Sequence, residues 1–244
     1  MLICIAQTNS KTGQIQENIH NHLRMITRAI DEKADLVIFP ELSITNYETE
    51  LAQNYAMDIQ SALFNPFQTL SDNNNISIVI GAPKQSDEGL NISMFIFSPN
   101  MHRRVYSKQI LHEDELPYFV CGKEQVILNI KDKKIALGIC YETLQREHFL
   151  NAFNKGINVY VASVAKSKHG VEKAHNHFAN ISGEFKTPIL MSNCIGVCDS
   201  VISCGQSAAW NQSGQLIAKL DDKNQGVLIF DTETEQTNLL QISV

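Results

Sequence analysis

Three residues with reactive side chains each come at the end of a short apolar segment. Glu41 and Cys140 follow the segments 35–39 and 135–139, and Lys108 follows a shorter run that ends at Ser107. Such segments are typical of buried strands, and open α/β sheets bind their ligands at the carboxyl ends of strands. Together the three side chains could carry out acyl transfer, with Cys as nucleophile, Glu as general base and Lys as a cation that stabilises thiolate and oxyanion.

Cys140 lies where the sequence changes from a strand pattern to a helix pattern. The segment that begins at Glu142 has acidic residues in its first turn, as helix N-termini commonly do. A thiol near the positive end of a helix has a lowered pKa, so the sequence predicts a thiolate. The alternative is a small core residue, because free Cys is among the most buried residue types.

The composition limits the class of protein. The chain has 244 residues, of which 43% are hydrophobic and 19% charged, and its net charge of −6 is spread without long runs of one sign. These values are typical of a soluble globular protein, and the sequence has no basic cluster of the kind that binds nucleic acid. Six cysteines without a signal peptide or a transmembrane segment predict reduced thiols, a cytoplasmic location and no membrane association.

The remaining pattern predicts an α/β fold. Apolar residues recur at helical spacing over 18–33 and 171–185, and further helices are expected from Asn65 and after Cys140, as far as Gly156. Apolar strands lie between them, in an order β-α-β-α-β-β that occurs twice. This order predicts two similar halves with sheets covered by helices, in one domain over residues 1–244.

The reactive residues lie in motifs that occur in a fixed order along the chain. These motifs are Phe39-Pro40-Glu41-Leu42 with Tyr47, Tyr106-Ser107-Lys108, Glu115 with Tyr118-Phe119 and Gly122, Gly138-Ile139-Cys140-Tyr141-Glu142, and Asn193 with Gly205-Gln206-Ser207. The ordered set, from Ile3 to about Asp231, resembles the carbon–nitrogen hydrolases of the nitrilase superfamily.

The resemblance implies a four-layer α-β-β-α sandwich that pairs through its helices into a homodimer or a larger homo-oligomer. It also implies that Glu41 is the general base, Lys108 the oxyanion-stabilising cation and Cys140 the nucleophile of a Glu-Lys-Cys triad. Glu115 would be a second carboxylate that positions nucleophile and substrate, and the backbone N–H of Tyr141 would donate to the oxyanion. The implied reaction is hydrolysis of a small linear amide through a Cys thioester, without metal or organic cofactor.

The substrate pocket is where the chain departs from its relatives. Asn46 stands where many have Gly, and the loop 163–169 offers two lysines and a histidine where many have an aromatic wall. The loop favours a substrate with a carboxylate at some distance from the amide, and a Tyr after the nucleophile instead of Trp favours an amide over a nitrile. The residues expected to contact substrate are Tyr47, Tyr118, Tyr141, Ser163 and Lys166.

Other functions remain open at this stage. The same residues could hydrolyse a nitrile or transfer the acyl group to an amine. A protein of another class could bind a metal through Cys194, Cys198 and Cys204, through His175 and His177, or through 112–115, although these spacings match no known zinc pattern. A non-catalytic interaction protein is a further alternative, which loss of a catalytic residue would favour.

Overall fold

The computed structural model describes residues 1–242, so the last two residues of the predicted domain, Ser243 and Val244, lie outside the described residues. The strands are β1 Leu2–Gln7, β2 Leu36–Ile38, β3 Ser77–Ser86, β4 Gly89–Phe97, β5 Arg104–Ser107, β6 Ile127–Ile130, β7 Lys133–Ile139, β8 Val159–Val164, β9 Ile189–Asn193, β10 Ile195–Cys198, β11 Val201–Cys204, β12 Ala208–Trp210, β13 Leu216–Lys219, β14 Gly226–Asp231 and β15 Thr237–Gln241. The α-helices are α1 Ile15–Asp31, α2 Asn65–Asn74, α3 Arg146–Phe153 and α4 Lys168–Phe185. None of these helices is both long enough and apolar enough to cross a membrane.

Each half of the described chain contributes one large sheet. The first sheet has seven strands in the order β15-β14-β1-β2-β3-β4-β5, and the second has six in the order β13-β12-β9-β8-β7-β6. The first five strands therefore build one sheet and the second half builds the other, after which β14 and β15 return to the first. This arrangement confirms the predicted α/β class.

The alternation of side chains along each strand produces the layers. In β1, Ile3 and Ile5 face the core between the two sheets, whereas Cys4 and Ala6 face the core under α1 and α2. The second sheet likewise packs its outer face, which includes Tyr160, against residues of α3 and α4. Two buried faces per sheet explain why the strands read as continuous apolar runs, and they confirm the four-layer sandwich.

Three parts of the fold differ from the sequence-based prediction. The helix predicted to run on from Cys140 is broken into a 3₁₀ segment, Cys140–Leu144, and the short helix α3. The hairpin of β10 and β11 was not predicted, because its exposed Val197 and Ile202 break the alternation of a half-buried strand. The edge strand β15 was also missed, since most of its side chains are exposed.

Candidate active site

Strand direction brings the reactive residues to one edge of the sandwich. β2 is parallel to β3, and β5 is antiparallel to β4, which is itself antiparallel to β3. The carboxyl ends of β2 and β5 therefore point the same way, so Glu41 and Lys108 emerge at the same edge. The hydroxyl of Ser163 donates to Phe39 O at 2.8 Å, which ties the end of β8 in the second sheet to the end of β2 in the first.

Lys108 is a fully buried cation held between two carboxylates. Its Nζ donates to Glu41 Oε1 at 2.9 Å and to Glu115 Oε1 at 2.6 Å. Burial opposes the charge, but the neighbouring carboxylates outweigh it and raise the pKa of Lys108. The backbone behind it is closely packed, because Gly122 N donates to Lys108 O at 2.7 Å and a Cβ at Gly122 would lie 2.2 Å from Ser107 O. The ammonium is thus charged and fixed.

Glu115 is held from three directions. Besides the ammonium, its Oε1 accepts from the Tyr47 hydroxyl at 2.9 Å, and its Oε2 accepts from His112 N at 2.8 Å. A carboxylate with both oxygens engaged cannot rotate freely, so Glu115 fixes the position of Lys108. Tyr47 therefore acts on the cluster through Glu115.

Glu41 has one engaged oxygen and one available oxygen. Oε1 accepts from Lys108, whereas Oε2 is buried and accepts from no N–H or O–H of the described residues. Burial raises the pKa of Glu41, with the Lys108 cation acting in the opposite direction. A buried acceptor oxygen without a fixed donor suits a group that takes up and releases a proton.

Cys140 is strained at the end of β7. Its φ is +46°, a left-handed conformation that costs a non-glycine residue of the order of 1–2 kcal/mol and turns the chain sharply. The thiol donates weakly to Ala165 O at 3.9 Å. Burial and the Glu41 carboxylate raise the pKa of Cys140 to about 11, although Lys166 and Lys108 oppose this. The predicted lowering of the thiol pKa was therefore wrong, because burial and the Glu41 carboxylate dominate, and α3 begins only at Arg146.

A buried carboxylate that was not predicted as part of the site lies behind the nucleophile. Glu142 Oε1 accepts from the Tyr106 hydroxyl at 2.5 Å and from Ile139 N at 2.7 Å. Its Oε2 accepts from Gln109 N at 2.6 Å and from Ile110 N at 3.2 Å. One side chain thus joins the residue before Cys140 to the residues after Lys108.

The hydrogen-bonded chain continues into the helix layer. His148 Nε2 lies 2.8 Å from the Tyr106 hydroxyl, and His148 Nδ1 lies 2.8 Å from the Tyr160 hydroxyl. Burial raises the pKa of Glu142 to about 7 and lowers the pKa of His148 to about 4. The single sequence signal for this network was the acidic residue two positions after the nucleophile.

We expect Glu142→Gln to destabilise the protein. Whichever way the amide is turned, its NH₂ faces at least one backbone N–H that loses its acceptor, either Ile139 N or the pair Gln109 N and Ile110 N, at about 1–3 kcal/mol for a buried donor. Urea unfolding measures the effect, with Glu147→Gln as the control because Glu147 is exposed on α3. If the two variants unfold at the same urea concentration, Glu142 does not hold the two segments together.

The predicted pocket residues differ in what their side chains contact. Tyr118 is 40% exposed and its hydroxyl donates to Glu50 at 3.2 Å, so it lies at the surface and outside the buried cluster. The Tyr141 ring packs edge-on against His112 with centroids 4.9 Å apart. Ser163 is fully buried and uses its hydroxyl between the sheets, which makes it a positioning residue. Asn46 has a φ of +70°, which explains why Gly or Asn stands there.

The metal alternative finds no support in these contacts. Cys194 and Cys198 have their sulfur atoms 3.3 Å apart, but the hydroxyl of Ser203 and the side chain of Asn46 complete their surroundings. Within residues 1–242, no group of three or more His, Cys, Asp or Glu side chains is arranged to hold a metal ion.

The class of protein follows from comparison with known families. The sequence model of the carbon-nitrogen hydrolase family matches residues 2–240. The chain therefore belongs to the carbon-nitrogen hydrolases, which confirms the resemblance stated from its motifs.

Individual relatives are more distant. A glutamine-dependent NAD(+) synthetase of Acinetobacter baylyi is 25% identical, over 98% of this chain and 46% of the synthetase. A protein described as a probable nitrilase, from Schizosaccharomyces pombe, is 21% identical, over 98% of this chain and 91% of its own. The amidase of Nesterenkonia sp. AN1 has the same fold, with a TM-score of 0.86 at 20% identity over 95% of this chain and 92% of the amidase.

Proposed function

We propose that this protein hydrolyses a small linear amide to an acid and ammonia through a thioester on Cys140. The observation that carries the proposal is the buried cluster in which Lys108 bridges Glu41 and Glu115, and in which Glu41 also interacts with the Cys140 thiol. A fixed cation, a base with a raised pKa and a thiol are the groups that acyl transfer requires.

Acylation begins from a neutral thiol, since the pKa of Cys140 is about 11. Glu41 takes the thiol proton as the sulfur attacks the amide carbon, and the carbonyl oxygen becomes an oxyanion. Lys108 Nζ and the backbone N–H of Tyr141 stabilise that charge. Glu41 then gives its proton to the leaving nitrogen, the C–N bond breaks and ammonia departs, which leaves the acyl group on Cys140.

Deacylation uses the same groups in the same order. Water enters in place of ammonia, Glu41 removes its proton and the hydroxide attacks the thioester carbon. The second oxyanion collapses, the C–S bond breaks and the sulfur regains a proton from Glu41. Glu115 does not exchange protons in either step; it keeps the ammonium in position.

The names of the relatives favour an amide substrate. One structural relative is named an amidase, and four curated relatives are named glutamine-dependent NAD(+) synthetases; glutamine is itself an amide. The chain spans about half the length of those synthetases, 46% of the one from Acinetobacter baylyi. The comparison therefore supports cleavage of an amide and not the synthesis reaction of the longer proteins.

Ammonia release tests the proposal directly. We expect the purified protein to release ammonia from one or more amides in a panel of short aliphatic and dicarboxylic monoamides. The panel is repeated with hydroxylamine as a competing acceptor and with the matching nitriles. Without hydroxylamine, ammonia and free acid in equal amounts support a hydrolase, and hydroxylamine should divert part of the acyl group to a hydroxamate by capturing the thioester. Acid formed only from nitriles, or no acid from any amide unless an amine acceptor is added, would contradict the proposal.

Two expectations about the surroundings of the enzyme stay predictions. They are a cytoplasmic location with no membrane or nucleic-acid partner, and pairing into a homodimer or a larger homo-oligomer through the helix layers. Sedimentation of the purified protein tests the second.

A further inference from the structure

Lys166 is rigidly positioned beside the nucleophile. It follows β8, directly after Ala165, whose carbonyl contacts the Cys140 thiol. Lys166 N donates to Asn193 Oδ1 at 2.8 Å, and Lys166 O accepts from Asn193 Nδ2 at 3.1 Å and from the Ser203 hydroxyl at 3.0 Å. These contacts hold the backbone of Lys166 in one conformation.

The side chain of Lys166 is buried, unlike its neighbours in the same loop. Only 7% of its surface is exposed, whereas Lys168 and His169 are exposed. The stem packs over Gly170, with Cβ, Cγ and Cδ 3.3–3.8 Å from the position a Cβ would take there. Of the two lysines in this loop, Lys166 is therefore buried and Lys168 is exposed to solvent.

The ammonium of Lys166 has no partner within the part of the chain that the structure describes. Lys108, the other buried lysine, contacts two carboxylates, but no described carboxylate lies within ion-pair distance of Lys166 Nζ and no described acceptor binds it. Its charge nevertheless acts on Cys140, where it opposes the rise in the thiol's pKa more than Lys108 does. The residue before Lys166 contacts the same thiol, so Lys166 belongs to the surroundings of Cys140.

The stem of Lys166 is buried, whereas its Nζ still reaches solvent and has no counter-charge among the described residues. A carboxylate that enters with the substrate would supply the missing charge and form a charge-assisted hydrogen bond. Acylation would then occur in a site where Lys108 faces the reacting carbonyl and Lys166 faces the far end of the substrate. One ammonium matches the single charge of a carboxylate.

We propose that Lys166 binds a carboxylate of the substrate, so that the preferred substrates are monoamides of short dicarboxylic acids. This inference rests on the proposed amide hydrolysis and adds the substrate class to it.

The test compares two amides of equal size, succinamic acid and 4-oxopentanamide, in which a methyl ketone replaces the carboxylate. We expect Lys166→Met to lower the ratio of their kcat/KM values, acidic over neutral, by about 10-fold to 100-fold. Lys168→Met, the matched exposed variant, keeps the wild-type ratio. An unchanged ratio in Lys166→Met would overturn the proposal, since Lys166 would then act on the thiol alone.

A binding experiment keeps the carboxylate site separate from amide turnover. Succinate should slow the alkylation of Cys140 by iodoacetamide in the wild type and in Lys168→Met but not in Lys166→Met. If succinate protects Cys140 but neither amide is hydrolysed, the carboxylate site at Lys166 exists and the proposed amide hydrolysis is wrong. No protection in the wild type would overturn the site. Loss of an unpaired charge is not expected to unfold the protein, and Lys166→Gln provides a second variant if Lys166→Met does not fold.

Discussion

Replacement of Cys140 by alanine should lower turnover by about 10⁴-fold or more, since the covalent route is lost with the nucleophile. The fold should be retained, because Ala and Cys have the same Cβ at the left-handed φ of +46°. Ammonia release measures the activity, and circular dichroism with urea unfolding measures the fold.

The other cysteines provide the control for this result. Cys121 is exposed and lies outside the cluster, so Cys121→Ala should keep wild-type turnover. Substantial activity in Cys140→Ala, with the fold intact, would remove Cys140 as the nucleophile.

Replacement of Glu41 by glutamine should lower kcat/KM by about 10²–10⁴-fold, because an amide of the same shape cannot take the thiol proton. Lys108 keeps Glu115 as a partner, and the Gln oxygen can still accept from it, so the buried cation is not left unpaired. Glu113→Gln is the matched control, since Glu113 is exposed in the same loop as Glu115. Equal activity in the two variants would contradict the role of Glu41.

The pH dependence of kcat/KM distinguishes loss of the general base in Glu41→Gln from a general disturbance of the structure. The base acts as a carboxylate, so the rate falls as pH drops through its pKa, and burial raises that pKa. The acid limb of kcat/KM should therefore lie above the ordinary range of glutamate in the wild type and should be missing in Glu41→Gln. An acid limb that remains in the variant would have to belong to another group.

Much of the fold could be predicted because the strands are buried on both faces. Their apolar runs, with amphipathic helices between them, define the two halves. Elements with exposed side chains could not be found in this way, which is why β10, β11 and β15 were missed. The break between Cys140 and α3 was also hidden, since the residues of both segments fit one helical pattern.

The residue types of the candidate site could be predicted from the sequence, but most of their contacts could not. Glu41 and Lys108 meet because strand direction places them at one edge, and Glu115 reaches them from the loop that follows Lys108. The role of Glu142 depends on backbone donors from a distant loop, Gln109 N, and from the end of β7, Ile139 N, and no side-chain pattern marks these. Likewise, two lysines in one loop look alike in sequence, and only packing against Gly170 distinguishes Lys166.

The most direct test of the mechanism is the mass of the protein during turnover. Glu41→Gln is incubated with an amide that the wild type hydrolyses, quenched in acid, digested and mapped by mass spectrometry. Because Glu41 serves both steps, acylation of the variant is slow and the incubation is extended accordingly. We then expect a mass increase equal to the amide minus ammonia, confined to the peptide that contains Cys140, since no base remains to activate the water that would remove the acyl group. The same adduct on another residue, or ammonia release by Cys140→Ala at the wild-type rate, would contradict this mechanism.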